Sequence, residues 1–267
     1  MSPAPVPEEL IAPLRAAREQ SAILLDLDGT LAPVVRDPEA ANVPELTRRA
    51  VQELTERYAL VGCVTGRRAA DARRILGIGS IPYAGIHGAE LLVRGARAAE
   101  LDPEAERWGE RVRAVADVSD ADALRASGLR REDKGPVVAL HWRGADDEEA
   151  ALALAEEIAT RALAAGLKTH HGRRVIELRP PVPMGKDGAV RRLLARSGVT
   201  HALYVGDDRT DIDAFTALRG MVADGRLDQA VCLAVLSDES PPELLSAADA
   251  TVDGPIGVRR LLIALSA

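Results

Sequence analysis

Over the first hundred residues, short apolar runs alternate with amphipathic segments. The runs at 22–27, 59–64 and 82–86 have strand length, and the segments between them place apolar residues at helical spacing. This alternation predicts βαβ units, and so a parallel sheet with helices packed on it. The first intervening helix is expected to begin at Pro44, a residue suited to a first helical position, and to bury Leu46, Ala50, Val51, Leu54 and Tyr58. The same rhythm returns toward the C-terminus, with strands near 201–205, 231–236 and 249–252 and a helix after each. Between about 104 and 181 the pattern differs. A helical run from Glu104 leads to "PVVALHWR", then to the helical "EEAALALAEEIATRALAAG" closed by Gly166, then to "RRVIELRP". Two helices and at least two strands in one block predict an inserted α+β domain. The expected division is a core of 1–103 and 182–267 and an insert of 104–181.

Composition sets outer bounds on function. At 267 residues, with 47% apolar and 28% charged residues, the chain suits a soluble globular protein with ample core. A net charge of -7 disfavours a nucleic-acid or anionic-membrane binder, which needs a basic stripe. Any anionic ligand must therefore meet local positive charge. The two cysteines, Cys63 and Cys232, sit in apolar strand-like runs without metal-ligand spacing and are expected as buried free thiols. The start "MSPAPVPEEL" lacks the features of a secretion signal, and no apolar stretch is long enough to span a membrane. A cytoplasmic monomer acting on a small molecule, without nucleic-acid or membrane partners, is expected.

The chemistry is concentrated where strands end. In "ILLDLDGTLAP" the first strand runs directly into Asp26 and Asp28, with Gly29 free to make a sharp exit. Ligands of parallel α/β sheets bind outside the carboxyl ends of the strands. Two carboxylates two residues apart share a side if the chain stays extended, and a divalent cation held by hard oxygen ligands, such as Mg²⁺, would offset their repulsion. Taken alone, "DLDG" serves equally well as an Asx-type turn closing a strand. A second cluster tips the balance. "HALYVGDDRTDIDAF" again ends an apolar strand in a glycine, Gly206, followed by Asp207, Asp208, Asp211 and Asp213, more acid than helix capping needs. Thr65 and Gly66 in "VTGRR" end the second strand, where a hydroxyl and backbone could bind phosphate oxygens. Lys186 in "PMGKDGAV" opens a helix; a lone lysine there is ordinarily a solvated side chain, and an anionic site nearby gives it a purpose.

"DLDGT", "TGR", Lys186 and "GDDRTD" match in order the four motifs of the haloacid dehalogenase (HAD) superfamily of phosphohydrolases. "YAGIHGAEL", "GDDRTDIDAF" and the terminal "SDESPPELLSAADATVDGPIGVRRLL" make the chain similar to the trehalose-6-phosphate phosphatases within it. That resemblance implies a Rossmann-like α/β core with a parallel sheet and a C2B-type cap that closes over the sugar. It also implies Mg²⁺-dependent hydrolysis of trehalose 6-phosphate through an aspartyl-phosphate. Carried over, Asp26 is the nucleophile and Asp28 the acid/base, while Thr65 and Lys186 complete the catalytic set. Asp26, the Asp28 carbonyl and Asp207 hold the metal; Asp208 and Asp211 belong to the same cluster, orienting the loop and metal-bound water. Gly66, Arg67 and His87 would line the substrate site, His87 either reaching the substrate or packing beside it.

The family's cap pieces correspond to "REDK", "HWR" and "GRRVIELRP". Strand alternation puts Glu132 with Lys134, His141 with Arg143, and Glu177 with Arg179 on common faces. Those six residues are the expected sugar contacts, with Trp142 the main ring for stacking; a half-exposed sheet with its polar side in water would show the same stripes. Three departures from the family pattern keep the catalytic groups: Thr65 stands for the more frequent serine, Ile212 for an acid, and Asp187 for a glycine after the lysine. Hydrolysis of another sugar or pseudo-disaccharide phosphate fits the same motifs. A sugar-phosphate sensor without turnover would be marked by loss of Asp28 or Asp207, and both are present.

Overall fold

A computed structural model of the chain describes residues 6–35, 40–117, 124, 126–195, 197–238 and 240–267. The chain divides into two compact units, Met1–Glu100 with Met184–Ala267, and Leu101–Pro183. Five strands precede the second unit: β1 (Ser21–Leu25), β2 (Leu60–Val64), β3 (Tyr83–Gly85), β4 (Glu90–Leu92) and β5 (Glu100–Leu101), the last spanning the boundary. The second unit holds β6 (Arg130–Asp133), β7 (Val138–His141), β8 (Lys168–Gly172) and β9 (Val175–Arg179). The chain then returns through β10 (His201–Gly206), β11 (Gln229–Leu236) and β12 (Ala250–Asp253).

The first unit is built on an eight-stranded sheet in the order β12-β11-β10-β1-β2-β3-β4-β5. Pairing is parallel from β12 through to β3 and turns antiparallel at β3–β4. All of β1 is buried, the mark of a strand covered on both faces. Its residues divide by alternation. Ile23 and Leu25, with Leu203, Val205, Leu233 and Val235, enter one apolar layer with the helices Glu8–Ala16, Glu45–Thr55, Ala69–Leu76 and Gly254–Ser266. Ala22 and Leu24, with Tyr204, Cys232 and Ala234, enter the other with Lys186–Leu194 and Asp211–Ala223. The result is a helix–sheet–helix sandwich in which each fully buried Leu or Val contributes about 1.5–3 kcal/mol of transfer free energy.

The helix expected from Pro44 begins one residue later, at Glu45, with Pro44 extended as its N-cap. Its buried stripe is Thr47, Ala50, Val51 and Leu54, whereas Leu46 is 60% exposed. Leu46 lies roughly 90° around the helix from the centre of that stripe, so it cannot reach the sheet.

The second unit pairs β6-β7-β9-β8 entirely antiparallel. Val138, Leu140, Ile176 and Leu178 face the helix Glu148–Ala164, burying Ala151, Ala155, Ile158 and Ala162 against the sheet. The opposite face is polar. Trp142, expected as a stacking ring, packs instead against this apolar cluster. Arg143 also departs from expectation. The strand stops at His141, and a turn through Gly144 at φ +75°, with the Ala145 N–H donating to the Trp142 carbonyl, lifts Arg143 off the sheet.

Candidate active site

At the end of β1 the chain is drawn into a tight loop. The Asp26 N–H still donates to the Val205 carbonyl at 3.0 Å, and beyond it the Leu31 and Ala32 N–H groups both donate to the Leu27 carbonyl. Gly29 turns the loop at φ +78°, and a Cβ there would overlap the Asp207 carboxylate. Gly206 has the matching role at the end of β10, where a Cβ would overlap the Asp211 carboxylate. The two glycines, one after β1 and one at the end of β10, thus let two acidic side chains that follow β10 approach the backbone.

Asp211, the first residue of its helix, is wholly buried and organises the cluster. One oxygen accepts the N–H groups of Asp207 (3.0 Å) and Asp208 (2.9 Å); the other accepts Lys186 Nζ (2.6 Å) and the Tyr204 hydroxyl (2.7 Å). Lys186 Nζ also lies 3.1 Å from Asp26 Oδ1. Burial alone would lower the Lys186 pKa, but Asp211 and then Asp26 outweigh it and raise it, so the ammonium stays charged. Burial, reinforced by Asp211, Asp207 and Asp28, pushes the Asp26 carboxyl well above the usual carboxylate range against the opposing pull of Lys186.

One carboxylate oxygen from each of Asp26, Asp207 and Asp211 lies within 4.8 Å of the others. Three buried acids face the single ammonium of Lys186, and this excess of hard-oxygen negative charge fits a divalent cation such as Mg²⁺. Asp211 has already committed both oxygens to four donors, which marks it as the residue that orients the loop, leaving Asp26 and Asp207 as the side chains suited to hold an ion. Asp208 stands outside this trio, its Oδ1 accepting the Arg209 N–H at 2.8 Å.

Asp28 is engaged separately. Arg67 grips it with both prongs, Nε to Oδ2 at 2.6 Å and a terminal nitrogen to Oδ1 at 2.8 Å. The loop that carries Arg67 begins at Thr65, whose hydroxyl accepts the Arg67 N–H at 3.1 Å. His87 lies against Gly66: a Cβ on that glycine would sit 2.6 Å from the imidazole Nε2. Asp26, Lys186, Asp207 and Asp211 therefore form one cluster, Asp28 and Arg67 a fork, and Thr65, Gly66 and His87 a third group.

Two contributors escape motif reading. Tyr204 is a buried strand residue whose hydroxyl completes the Asp211 shell; a phenol amid the apolar run "ALYV" was its only signal. Glu90 is buried on β4 and accepts the Ala69 N–H, capping the helix that follows the Arg67 loop. Twenty-one residues separate that pair, and no local pattern announces it.

On the second unit the polar face of the sheet carries a continuous network. Lys134 Nζ donates to Glu177 Oε1 at 2.9 Å, Arg179 grips Glu177 Oε2 at 2.6 and 2.9 Å, and Glu132 meets His141 Nε2 at 2.9 Å and Lys134 at 3.9 Å. Burial lowers and Glu177 then Glu132 raise the Lys134 pKa, with a net rise. Five of the six expected sugar contacts are thus brought together; Arg143 is not among them.

A family model described as trehalose-phosphatase matches residues 24–240. The chain belongs to that family. Among members of the trehalose-phosphatase family, the trehalose 6-phosphate phosphatase RA3 of Zea mays is 31% identical over 227 residues, covering 78% of this chain and 63% of the maize protein. An uncharacterized glycosyl hydrolase of Mycobacterium tuberculosis is 35% identical over 215 residues, 74% of this chain and 15% of its own length. The chain therefore spans less than two thirds of these relatives. A solved trehalose-6-phosphate phosphatase related protein superposes with a TM-score of 0.72 at 27% identity, covering 92% of this chain and 96% of that one. The fold is also similar to that of a solved haloacid dehalogenase-like hydrolase from Bacteroides thetaiotaomicron, with a TM-score of 0.62 at 14% identity. No helix among the described residues is long and apolar enough to cross a membrane.

Proposed function

We propose that this chain hydrolyses trehalose 6-phosphate to trehalose and inorganic phosphate through an aspartyl-phosphate on Asp26. The observation that carries the reading is a buried carboxylate at a strand end, with a charged lysine 3.1 Å away and a second, Arg67-held carboxylate two residues on. A carboxylate attacks a phosphate dianion only when negative charge is screened, and Lys186 supplies part of that screening. Mg²⁺, held by Asp26, Asp207 and the Asp28 carbonyl, would neutralise the remaining charge on the carboxylates and the phosphate.

With Asp28 entering as the carboxylic acid, Asp26 attacks phosphorus, the P–O bond to the sugar breaks, and the departing oxygen takes the proton of Asp28, leaving it a carboxylate. Water then attacks the phosphorus of the aspartyl-phosphate and passes a proton to Asp28. The P–O bond to Asp26 breaks, phosphate leaves, and both carboxyl groups are restored. Since Arg67 occupies both Asp28 oxygens, proton transfer requires that fork to yield one of them. A positioned acid of this kind contributes about 10²–10⁴-fold. Thr65 and the Gly66 backbone hold phosphate oxygens. The polar face of the second unit, Glu132, Lys134, His141, Glu177 and Arg179, supplies donors and acceptors for sugar hydroxyls, each of which both donates and accepts.

Phosphate release across a panel of sugar phosphates, with Asp26→Asn and Asp28→Asn beside the parent, tests the reading. Trehalose 6-phosphate should be preferred and Asp26→Asn should abolish turnover. Undiminished activity in that variant would overturn the nucleophile, and preference for a monosaccharide or pseudo-disaccharide phosphate would overturn the substrate.

A further inference from the structure

Between β3 and β4 the backbone does something costly. Ile86 and His87 both lie in the left-handed region, at φ +48° and +52°, followed by Gly88 at +93°. A β-branched isoleucine is a genuine outlier there, and such residues cost about 1–3 kcal/mol each unless their surroundings hold them in place. Glycine would adopt the turn freely. The chain keeps larger side chains in it, and their contacts indicate why.

The turn is tied to two other segments. On one side the Ile86 N–H donates to the Arg67 carbonyl at 2.8 Å and the His87 N–H to the Thr65 carbonyl at 3.0 Å. The His87 ring fills the volume a side chain at Gly66 would need, with Nε2 and Cε1 2.6 and 2.7 Å from such a Cβ. On the other side, a Cβ at Gly88 would come within 3.0 Å of the Gly185 carbonyl and 3.1 Å of Ala189, and Arg192 donates to the Gly88 carbonyl at 3.0 Å. Gly185 caps the helix that Lys186 opens. One strained turn therefore spans the gap between the Thr65–Arg67 loop and the start of the Lys186 helix.

The geometry points to residues 85–88 as a brace for the phosphate site, with His87 a positioning residue whose ring fixes Gly66, and through it Thr65, relative to Lys186. This assignment rests on the reading of Thr65 and Lys186 as phosphate-binding groups. It gives His87 a role through the loop and not through the sugar, so its loss should be felt by any phosphate ligand.

His87→Asn removes the ring and keeps a residue that tolerates the left-handed region. It is expected to lower kcat/KM about tenfold or more, equally for trehalose 6-phosphate and for p-nitrophenyl phosphate, and to weaken inorganic phosphate binding measured by calorimetry in proportion. Gly66→Ala should be severely impaired with His87 present and markedly recovered in the Gly66→Ala/His87→Asn double variant, where the space is vacated. Ile86→Gly relieves the strain and loosens the turn but also empties a fully buried position, so its fold is checked by circular dichroism first; the folded variant should bind phosphate more weakly in the same sense. A loss confined to trehalose 6-phosphate would show a direct sugar contact and overturn the brace. So would a Gly66→Ala defect that persists undiminished in the double variant, or Ile86→Gly binding phosphate as tightly as the parent. A parent chain that hydrolyses neither ester would refute the proposed function, and the brace would then be judged on phosphate affinity alone.

Discussion

Asp211→Asn tests the arrangement at its centre. The carboxylate accepts four hydrogen bonds in full burial: Lys186 Nζ and the Tyr204 hydroxyl on one oxygen, and the N–H groups of Asp207 and Asp208 on the other. An amide of the same shape has one acceptor oxygen and one NH₂ group. An NH₂ turned to the backbone meets two N–H donors; turned the other way it meets the Lys186 ammonium, while the Tyr204 hydroxyl can rotate to accept from it. If the oxygen faces the backbone, the Lys186 ammonium loses its 2.6 Å partner and keeps only Asp26 at 3.1 Å; if it faces Lys186, the buried Asp207 N–H and the part-buried Asp208 N–H are stranded. Stranded buried donors cost about 1–3 kcal/mol each, and breaking a buried ion pair from one side costs about 3–5 kcal/mol. The first unit should therefore lose about 3–5 kcal/mol, which at about 2–4 °C per kcal/mol lowers its transition by roughly 10 °C. Differential scanning calorimetry on the whole chain reads this directly, provided the transitions of the two units are fitted separately. Tyr204→Phe is the internal scale. It removes one donor and leaves Asp211 charged with three others, so about 1 kcal/mol is expected. An Asp211→Asn loss below about 1 kcal/mol, or one no larger than that of Tyr204→Phe, would refute the account of Asp211 as the saturated hub.

Two further outcomes follow from neighbouring groups. Gly29→Ala forces a Cβ into the Asp207 carboxylate at a left-handed position that itself costs about 1–2 kcal/mol, so Mg²⁺ titrated into the protein should bind markedly more weakly than to the parent; unchanged binding would separate Asp207 from the metal. Burial raises the Glu90 carboxyl against the opposing Ala69 N–H bond and the Arg68 charge. A carboxyl raised in the folded state binds its proton more tightly there than in the unfolded chain. Its contribution to stability is then fullest below the unfolded value and is lost as pH rises through the folded one. Glu90→Gln keeps an acceptor for the Ala69 N–H without a charge, so its melting temperature should exceed the parent's near pH 7 and the gain should vanish toward pH 4. A neutral-pH loss would contradict this.

The strands of the first unit were legible because they are buried on both faces. A strand such as β1, buried at every position, needs no decision about which side faces water; its observed span of Ser21–Leu25 begins one residue before the 22–27 expected and ends two residues short of it, ahead of Asp26. The short strand β4 was not foreseen. Its residues are split between Glu90, buried by its cap, and Leu92, buried in the core, and it pairs antiparallel at a place where the preceding rhythm is parallel. Leu46 failed for a different reason. A helical repeat identifies a stripe, and Leu46, roughly 90° from its centre, stands at a margin the sheet does not reach. Arg143 failed because strand alternation was extended two residues past the point where Gly144 turns the chain.

The strand-end acids Asp26 and Asp207 were readable for a reason that does not extend to Lys186, which opens a helix, or to what holds the cluster. Side chains doing chemistry must follow strand ends, so a charged residue directly after an apolar run marks its own place. Their supports carry no such mark. Tyr204 looks like one more core aromatic, Glu90 like one more acid, and the backbone of Ile86 and His87 leaves no trace in "GIHG" beyond its glycines. Each acquires its role from a partner outside its own element: Ala69 for Glu90 and Gly66 for His87, both 21 positions away, and for Tyr204 a carboxylate seven residues on that Gly206 allows to fold back onto its own strand end. The supports are also where substitution is most informative. Removing Asp26 tests only whether the proposed nucleophile is needed, whereas substituting a support such as Gly66 or Tyr204 leaves Asp26, Asp28 and Lys186 present, and so measures how much of the rate depends on where they are held.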